Sequence, residues 1–509
     1  MYTFAATTPR FTYGRELLNS ERILSKAFII TLAVFAALRV LFFSALFPLF
    51  NNVDEQRHVD LVIKYSHGVW PRGLTPIAPE AAELFARYSS FEYLVPSDVQ
   101  PDQVSPRFGD LGEDDLRVVQ LWEHQTNIES GEPPLYYLTA GGWLRAGQSI
   151  GIPAPLTIYW VRFLNVIPAV SVVILAWLCS KLVLPEHPYL RHSAATLAAI
   201  FPQDAFYSVQ SDAWSALWFG VAFYLILRGC YRKPMSHFLL LSTGLALSAA
   251  TLTKLTNLPL LGVGLLSGSL IIVFAARDPS TISAKLTRCM TLIFAAIAPV
   301  LIWMLANLTT LADPLATSQK VQSLGWIQKP ITEWIPHPLF SLAGFIYFWR
   351  ELLSSFWRGE FVWRTARLAS PLADSFYWVS SALILSVAIY LLWKLRGGQR
   401  VALAVASACF VAGIGFLIIL SLGYDFGDCF YPSRALPFFT SGRLLLGSLI
   451  PFILIYAMSL DCITRRWPNW VRYSLLAAIA CFVTVEEVVI SGPAFSSAFN
   501  FFHLVTRDS

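Results

Sequence analysis

Apolar runs of about twenty residues recur along most of this chain, punctuated by Pro, Gly and charged positions. A run of that length can cross a hydrocarbon core about 30 Å thick. The pattern predicts eleven crossings, at 27–49, 160–184, 193–210, 213–229, 237–252, 256–276, 286–308, 376–394, 401–422, 444–461 and 471–490. Two longer stretches interrupt it, 50–159 and 309–375. Both contain amphipathic pieces, such as 59–66 and 338–357, of the kind that lie along a membrane surface. Residues 133–147, PPLYYLTAGGWLRAG, are apolar but only fifteen long. That length predicts an interfacial helix, opened by Pro133 and Pro134 where missing N–H groups cost least. If this piece crossed fully, every later loop would change sides.

Charge placement decides the sidedness. With the N-terminus in the cytoplasm, the short inner loops hold Arg10, Arg15, Arg22, Lys26, Lys181, Arg191, Arg228, Arg232, Lys233, Arg277, Lys285, Arg288, Lys394, Arg396, Arg400, Arg465, Arg466 and Arg472. Against these stand Glu16, Glu21, Glu186, Asp278 and Asp461. Such a bias is what the positive-inside rule requires. Both long stretches then face outward. Up to Glu132 the first is acidic: Asp98, Asp102, Glu129 and Glu132 are among its fifteen Asp and Glu, against six Lys or Arg. The expected organisation is a cytoplasmic basic arm (1–26), an N-terminal transmembrane module (27–308) that includes the loop 50–159, a second outer loop with an interfacial helix (309–375), and C-terminal transmembrane helices (376–509). The fold class expected is an all-α polytopic membrane protein.

Composition agrees. Of 509 residues, 56% are hydrophobic and 14% charged, against about 25% charged in soluble domains. Seventeen Trp and nineteen Tyr suit a protein with two membrane interfaces. The seven Cys are scattered, with no CxxC and no zinc spacing, and read as small packing residues. The run that begins near Lys26 has no clear small-residue cleavage site after it and reads as an uncleaved anchor. No P-loop, Rossmann fingerprint or soluble catalytic domain is present.

Chemistry-bearing residues gather where spans should meet the outer face. In NNVDEQRHVDLVIKYSHGVWPRG, 51–73, a helix would put Asp54 and His58 on one face, with Glu55 beside them. A solvated first helical turn and a metal cluster of Asp54, Glu55 and His58 both fit that spacing. In GEPPLYYLTAGGWLRAG, 131–147, the aromatic pair could serve as an interfacial belt. FPQDAFYSVQSDAW, 201–214, carries Asp204 and Asp212, readable as helix caps or as the polar wall of a cavity. In TLTKLTN, 251–257, Lys254 either snorkels to headgroups or binds phosphate. SSFWRGEFVWR, 354–364, precedes YPSRALPFFTSGRLLLGSLIPF, 431–452, where Arg434 and Arg443 suit bidentate phosphate binding.

Taken in this order, these segments resemble the GT-C class of membrane glycosyltransferases over about residues 27–461. The match is to an acidic DE..H motif after the first span, an apolar PPLYYL segment, a P…SD turn and a TK turn. The SFW and SGR segments look closer to an uncharacterised bacterial polytopic family of that class, with SFWG- and GRY-type motifs. Arg358 interrupts the SFWG pattern, and Leu444 stands where Tyr usually follows Gly-Arg. The resemblance implies a GT-C-like helical bundle in a bacterial inner membrane. It also implies an inverting transfer of a hexose or pentose from a polyprenyl-phosphate-linked donor to a glycan or lipid acceptor on the outer face. Asp54 is then the candidate base. Glu55 and His58 would orient it or bind acceptor, and Lys254 and Arg443 would hold phosphate. Asp204, Asp212 and Arg434 complete the expected substrate wall. A divalent metal is left open, membrane lipids are expected partners, and no nucleic acid is expected. Two other readings compete: a transporter or flippase, which usually shows internal repeats and midplane charges, and a polysaccharide polymerase or ligase relying on Arg434 and Arg443.

Overall fold

The protein is seen here as a computed structural model. It describes residues 12–505 except 94, 97, 98, 100–104, 155, 232–234, 275–279 and 430, with side chains from Ser25 onward. Most of the expected basic arm, with Arg10 and the side chains of Arg15 and Arg22, lies outside the described residues. So do Asp98, Asp102, Arg232, Lys233, Arg277 and Asp278.

The described chain is helical almost throughout. Helix α1 (Thr12–Leu46) leads into a first long segment holding α2 (Glu55–Ser66), α3 (Pro79–Tyr88), α4 (Glu113–Glu123) and α5 (Leu135–Ser149). Then come α6 (Leu156–Phe163), α7 (Val166–Val183), α8 (Pro188–Ile200), α9 (Asp212–Tyr231), α10 (His237–Thr253), α11 (Leu258–Val273) and α12 (Ile282–Leu311). The second long segment carries α13 (Ser318–Ser323) and α14 (Leu342–Arg358). The chain continues through α15 (Pro371–Lys394), α16 (Gly397–Gly423), α17 (Leu449–Thr464), α18 (Asn469–Ser491) and α19 (Phe501–Val505). Strands among the described residues are two-residue ladders: Thr75–Pro76 with Thr126–Asn127, Ile327–Gln328 with Tyr424–Asp425, and Val362–Trp363 with Ala366–Arg367.

Nine helical stretches among the described residues are long and apolar enough to cross a membrane, which makes this a multi-pass membrane protein. Two expected spans are shorter. The run 237–252 is the 17-residue α10. The run 193–210 is not one helix: α8 stops at Ile200, thirteen residues after it starts. Pro202 has no N–H to continue the ladder, and Gln203 accepts the Ala205 N–H through its own side chain, opening a short 3-10 turn instead. Lipid-facing residues such as Ile30, Leu38, Phe238, Phe294, Ile302 and Trp393 remain exposed on the bundle flank, as expected where the solvent is hydrocarbon.

A second, smaller core caps one end of this bundle. It joins α2, α3 and α5 through Val59, Leu61, Val62, Ile63, Phe85, Tyr136, Tyr137 and Leu144. The stretch 59–66 is therefore buried beneath its neighbours. Helix α14 runs from surface to interior. Leu342, Phe345 and Ile346 are exposed, whereas Phe356 and Trp357 are buried, with Trp357 stacked on Tyr377 at 5.2 Å and donating to Ser381 Oγ at 3.0 Å.

Helix parity bears on the position of α5, if α8 and α10 are counted as crossings. The exit of α1, the entry of α9, the turn between α10 and α11, and the entry of α17 all meet at the capped end, through contacts among Asp54, Asp212, Lys254 and Arg443. With Leu156–Val183 (α6 and α7) taken as one crossing, the exit of α1 and the entry of α9 are separated by an even number of crossings only if α5 does not cross. The opposite end gathers the other loops: Tyr189 meets Arg472, His192 meets Tyr473, and Gly398 meets Tyr231. In a cysteine-free variant, Gln148→Cys and Arg466→Cys should react with an impermeant maleimide from opposite faces of the membrane. Labelling of both from one face would overturn this parity.

Candidate active site

The site starts from one buried pair. Helix α1 ends at Leu46 and the chain turns sharply, with Phe50 and Asp54 at φ 68° and 66°. Glu55, the first residue of α2, points inward and is fully buried. Its Oε1 accepts from Arg162 Nε at 2.7 Å and from the Val209 N–H at 2.9 Å. Its Oε2 accepts from Arg162 Nη2 at 2.6 Å and from the Phe50 N–H at 3.0 Å. This sealed carboxylate, satisfied four-fold, holds the α1–α2 turn and has no free lone pair for a substrate.

Asp54, one residue earlier, points the other way. Its carboxylate is 27% exposed and accepts from Arg443 Nη2 at 2.6 Å. A non-glycine residue in the left-handed region is uncommon and is found at sites where the surroundings impose it. Arg443 is held in turn by Glu360 at 3.3 Å, by the Val53 carbonyl at 3.5 Å and by Asp212 at 3.9 Å. Lys254 donates to the same Asp212 oxygen at 3.2 Å. Asp54, Asp212, Lys254 and Arg443 thus form one cluster, built from four separate parts of the chain. Burial opposes the charge on Asp54, but the adjacent Arg443 outweighs it and holds the carboxyl below its ordinary range.

His58 sits one turn along α2, its N–H bonded to the Asp54 carbonyl at 3.1 Å. Its Nδ1 shares a hydrogen bond with Tyr137 OH at 2.7 Å. Burial, helped by the Lys254 charge, pushes the imidazole down to about 4, so it is neutral near pH 7. Asp204 does not join the cluster; it fastens the loop that supplies Glu360. Its Oδ2 accepts the N–H groups of Glu360 and Phe361 at 2.7 and 2.5 Å, and burial raises it to about 6 despite those bonds. Gly359, at φ 87°, makes this possible, since a Cβ there would lie 2.1 Å from the Asp204 carboxylate. Arg443 is positioned from α14: the Gly442 N–H donates to Ser355 Oγ at 3.0 Å, and Ser355 Oγ donates to the Thr440 carbonyl at 2.7 Å. Arg434 lies apart, 65% exposed and paired with Asp425 at 3.3 Å.

Several neighbours escaped the sequence reading. Arg162 was hidden in an apolar run, where a lone Arg is itself a signal. Glu360 lies in SSFWRGEFVWR, a segment noted for its Trp and Arg. Glu129 and Glu132 were indistinct among many loop carboxylates. Both face Lys320 of α13, at 2.8 and 3.7 Å. Burial disfavours charge here too, yet Lys320 holds Glu129 well below the carboxylate range, while Glu132 is pushed up by burial. Arg358, the residue that breaks the SFWG pattern, is bound to Asp374 at 2.8 Å and supports the loop from below. Among the described residues no three His, Cys, Asp or Glu side chains are grouped to hold a metal ion, and the nearest carboxylates, Asp54 and Glu129, are engaged by Arg443 and Lys320.

No protein-family model matches the chain, and no curated protein matches it in sequence. Solved structures do. The oligosaccharyltransferase of Archaeoglobus fulgidus, tethered with an acceptor peptide, is similar at a TM-score of 0.40 and 11% identity, over 93% of this chain and 55% of that one. The A. fulgidus oligosaccharyltransferase AglB in complex with an inhibitory peptide and a dolichol-phosphate gives 0.40 and 12%, over 92% and 56%. ArnT from Cupriavidus metallidurans bound to undecaprenyl phosphate gives 0.46 and 12%, over 94% and 72%. The chain spans a little over half the length of the archaeal enzymes it matches.

Two outcomes follow from the geometry. Glu55→Gln should destabilise the detergent-solubilised protein by about 3–5 kcal/mol in a chemical unfolding titration, because it leaves Arg162 buried and uncompensated. His58 should make folding acid-sensitive. The folded imidazole takes its proton only near pH 4, the unfolded one at 6.5. Stability is therefore complete above pH 6.5 and falls as pH drops from there towards 4, by up to about 3 kcal/mol. His58→Gln should flatten that slope; an unchanged slope would exclude His58 as its source.

Proposed function

We propose that this protein is a glycosyltransferase that takes a sugar from a polyprenyl-phosphate-linked donor and passes it to a hydroxyl acceptor at the outer face of a bacterial inner membrane, with inversion. The observation that carries the reading is the pairing of Asp54 with Arg443 next to Lys254. It combines one partly open carboxylate with two buried cations, at the level where spans leave the bilayer. A lipid-linked donor keeps its tail in the membrane, so its phosphate reaches that depth. The motif order in the sequence and the basic loops gathered at the far end support the same orientation, with the N-terminus in the cytoplasm.

The chemistry runs as follows. The acceptor hydroxyl attacks the anomeric carbon while Asp54 takes its proton. The bond from that carbon to the phosphate oxygen breaks, and the leaving lipid phosphate gathers charge. Arg443 offers a planar fork of donors to it, and Lys254 a point charge. Asp54 is ionised at neutral pH, as a base must be. His58, neutral and fixed by Tyr137, orients the acceptor side. Asp212 holds the two cations together, while Glu55 and Asp204 position Asp54 and Glu360.

Asp54→Asn should reduce transfer from a polyprenyl-phosphate sugar by at least about 10²-fold and leave the melting temperature close to that of the parent. Full activity in that variant would remove Asp54 from the role of base.

A further inference from the structure

A cavity of about 590 Å³ opens in the cap, apart from the Asp54 cluster. It lies between α2, α3, α5 and the start of α6, and none of Asp54, Asp212, Lys254 and Arg443 lines it. Ile63, its wall on α2, stands well past Glu55, about 12 Å along the helix. The floor is apolar and closed: Ile63, Leu84, Leu144 and Ile158 are all buried. One polar side chain sits among them. Thr157 is 5% exposed, and its N–H donates to the Pro153 carbonyl at 3.1 Å. Its hydroxyl has no hydrogen-bond partner among the described residues. A buried hydroxyl is costly unless something in the cavity meets it.

Charge and depth narrow the occupant. The mouth carries Glu80, Glu83 and Asp110 against one cation, Arg87. Arg87 is already bound to Glu83 at 2.7 Å and to the Gly109 carbonyl. Glu80 meets His67 at 2.6 Å, and the exposed Asp110 carboxylate has no partner among the described residues. A ligand of net negative charge is repelled here, whereas a primary ammonium brings three N–H donors to these acceptors. Thr157 and Ile158 also belong to Leu156–Val183, a stretch long and apolar enough to cross the membrane. Ile150, just past the end of α5, is 70% exposed. The cavity therefore opens where a crossing begins, at headgroup depth, and its volume is that of a small-molecule site.

We infer that this cavity is a lipid site, and that it selects a phospholipid whose headgroup carries a primary ammonium. The ammonium sits among Glu80, Glu83 and Asp110, the glycerol oxygens reach the Thr157 hydroxyl, and the first chain carbons cover the apolar floor. A quaternary ammonium has no N–H to donate, and a polyol head leaves the phosphate charge facing the carboxylates. The inference does not rest on the transfer reaction, because lipid retention is read without donor or acceptor.

The test is native mass spectrometry of the full-length protein, released into detergent from vesicles of equal parts phosphatidylethanolamine, phosphatidylcholine and phosphatidylglycerol. The parent should keep one phosphatidylethanolamine per chain, at least about tenfold over either other lipid, the worth of one charge-assisted hydrogen bond. Ala154→Trp fills the mouth from an exposed position. That variant, and the pair Glu80→Gln with Asp110→Asn, should each cut the retention at least about tenfold with melting temperatures like the parent's. Leu138→Trp, at an exposed position of α5 that does not line the cavity, should leave retention unchanged. Equal retention of the three lipids, or of none, would overturn the inference. So would phosphatidylethanolamine retention that survives both changes at the cavity, or that Leu138→Trp removes equally.

Discussion

The five N–H donors of the Arg162 guanidinium are all used, and they fix where the first span ends. Nη1 donates to the Ser44 and Phe47 carbonyls at 3.1 and 2.6 Å, Nη2 to the Pro48 carbonyl at 3.0 Å, and the remaining bonds go to Glu55. The carbonyls at a helix C-terminus lack intrahelical partners and carry partial negative charge. A buried cation at that point satisfies them and brings Glu55 in as its counter-charge. The pair is expensive to desolvate, so it persists only because every donor and every acceptor lone pair is matched. Its effect is geometric: α1 must stop there, and α2 must start with Glu55 facing inward.

That orientation determines the residue before it. With Glu55 buried at the first position of α2, Asp54 is forced outward through a left-handed turn. It emerges beside Arg443, which arrives from the other half of the chain. The two halves are coupled again through Asp204, whose carboxylate grips the backbone of residues 360 and 361. Glu360 then braces Arg443 from behind, and Arg367 braces Glu360 at 3.0 Å. The candidate site is therefore a chain of alternating charges, each held by the next, anchored at both ends in the bundle.

Much of this architecture could be read from the sequence, because hydrocarbon imposes length and charge rules that survive in single residues. The crossings followed from run length, and the two ends of the bundle from Lys and Arg placement. The apolar piece 133–147 was expected as one short helix opened by its Pro pair, and α5 spans Leu135–Ser149. What could not be read was direction within a turn. Asp54 and Glu55 are adjacent acidic residues, and local sequence offers no means of telling which one is buried; that depends on Arg162, more than one hundred residues away. The break after Ile200 was missed because hydropathy does not register a side chain that caps its own backbone. Glu129, Glu132 and Lys320 escaped for a related reason. A loop carboxylate acquires meaning only when a distant cation is folded against it.

The same charge chain constrains any anion that comes to the site. Arg443 has no vacant arm: its fork faces Asp54, Asp212, Glu360 and the Val53 carbonyl. Lys254 is likewise bound to Asp212. An incoming phosphate that takes the Arg443 fork must therefore displace a carboxylate. Asp212 is almost completely buried and shared by both cations, and Glu360 is braced by Arg367, so neither can withdraw into water. Asp54 is the exposed member of the set, and its departure costs least in desolvation. On the reading proposed above, the phosphate that takes the Arg443 fork also releases Asp54 from the charge that holds its proton affinity down. Binding the donor and freeing the base then become one exchange of anions at a single guanidinium.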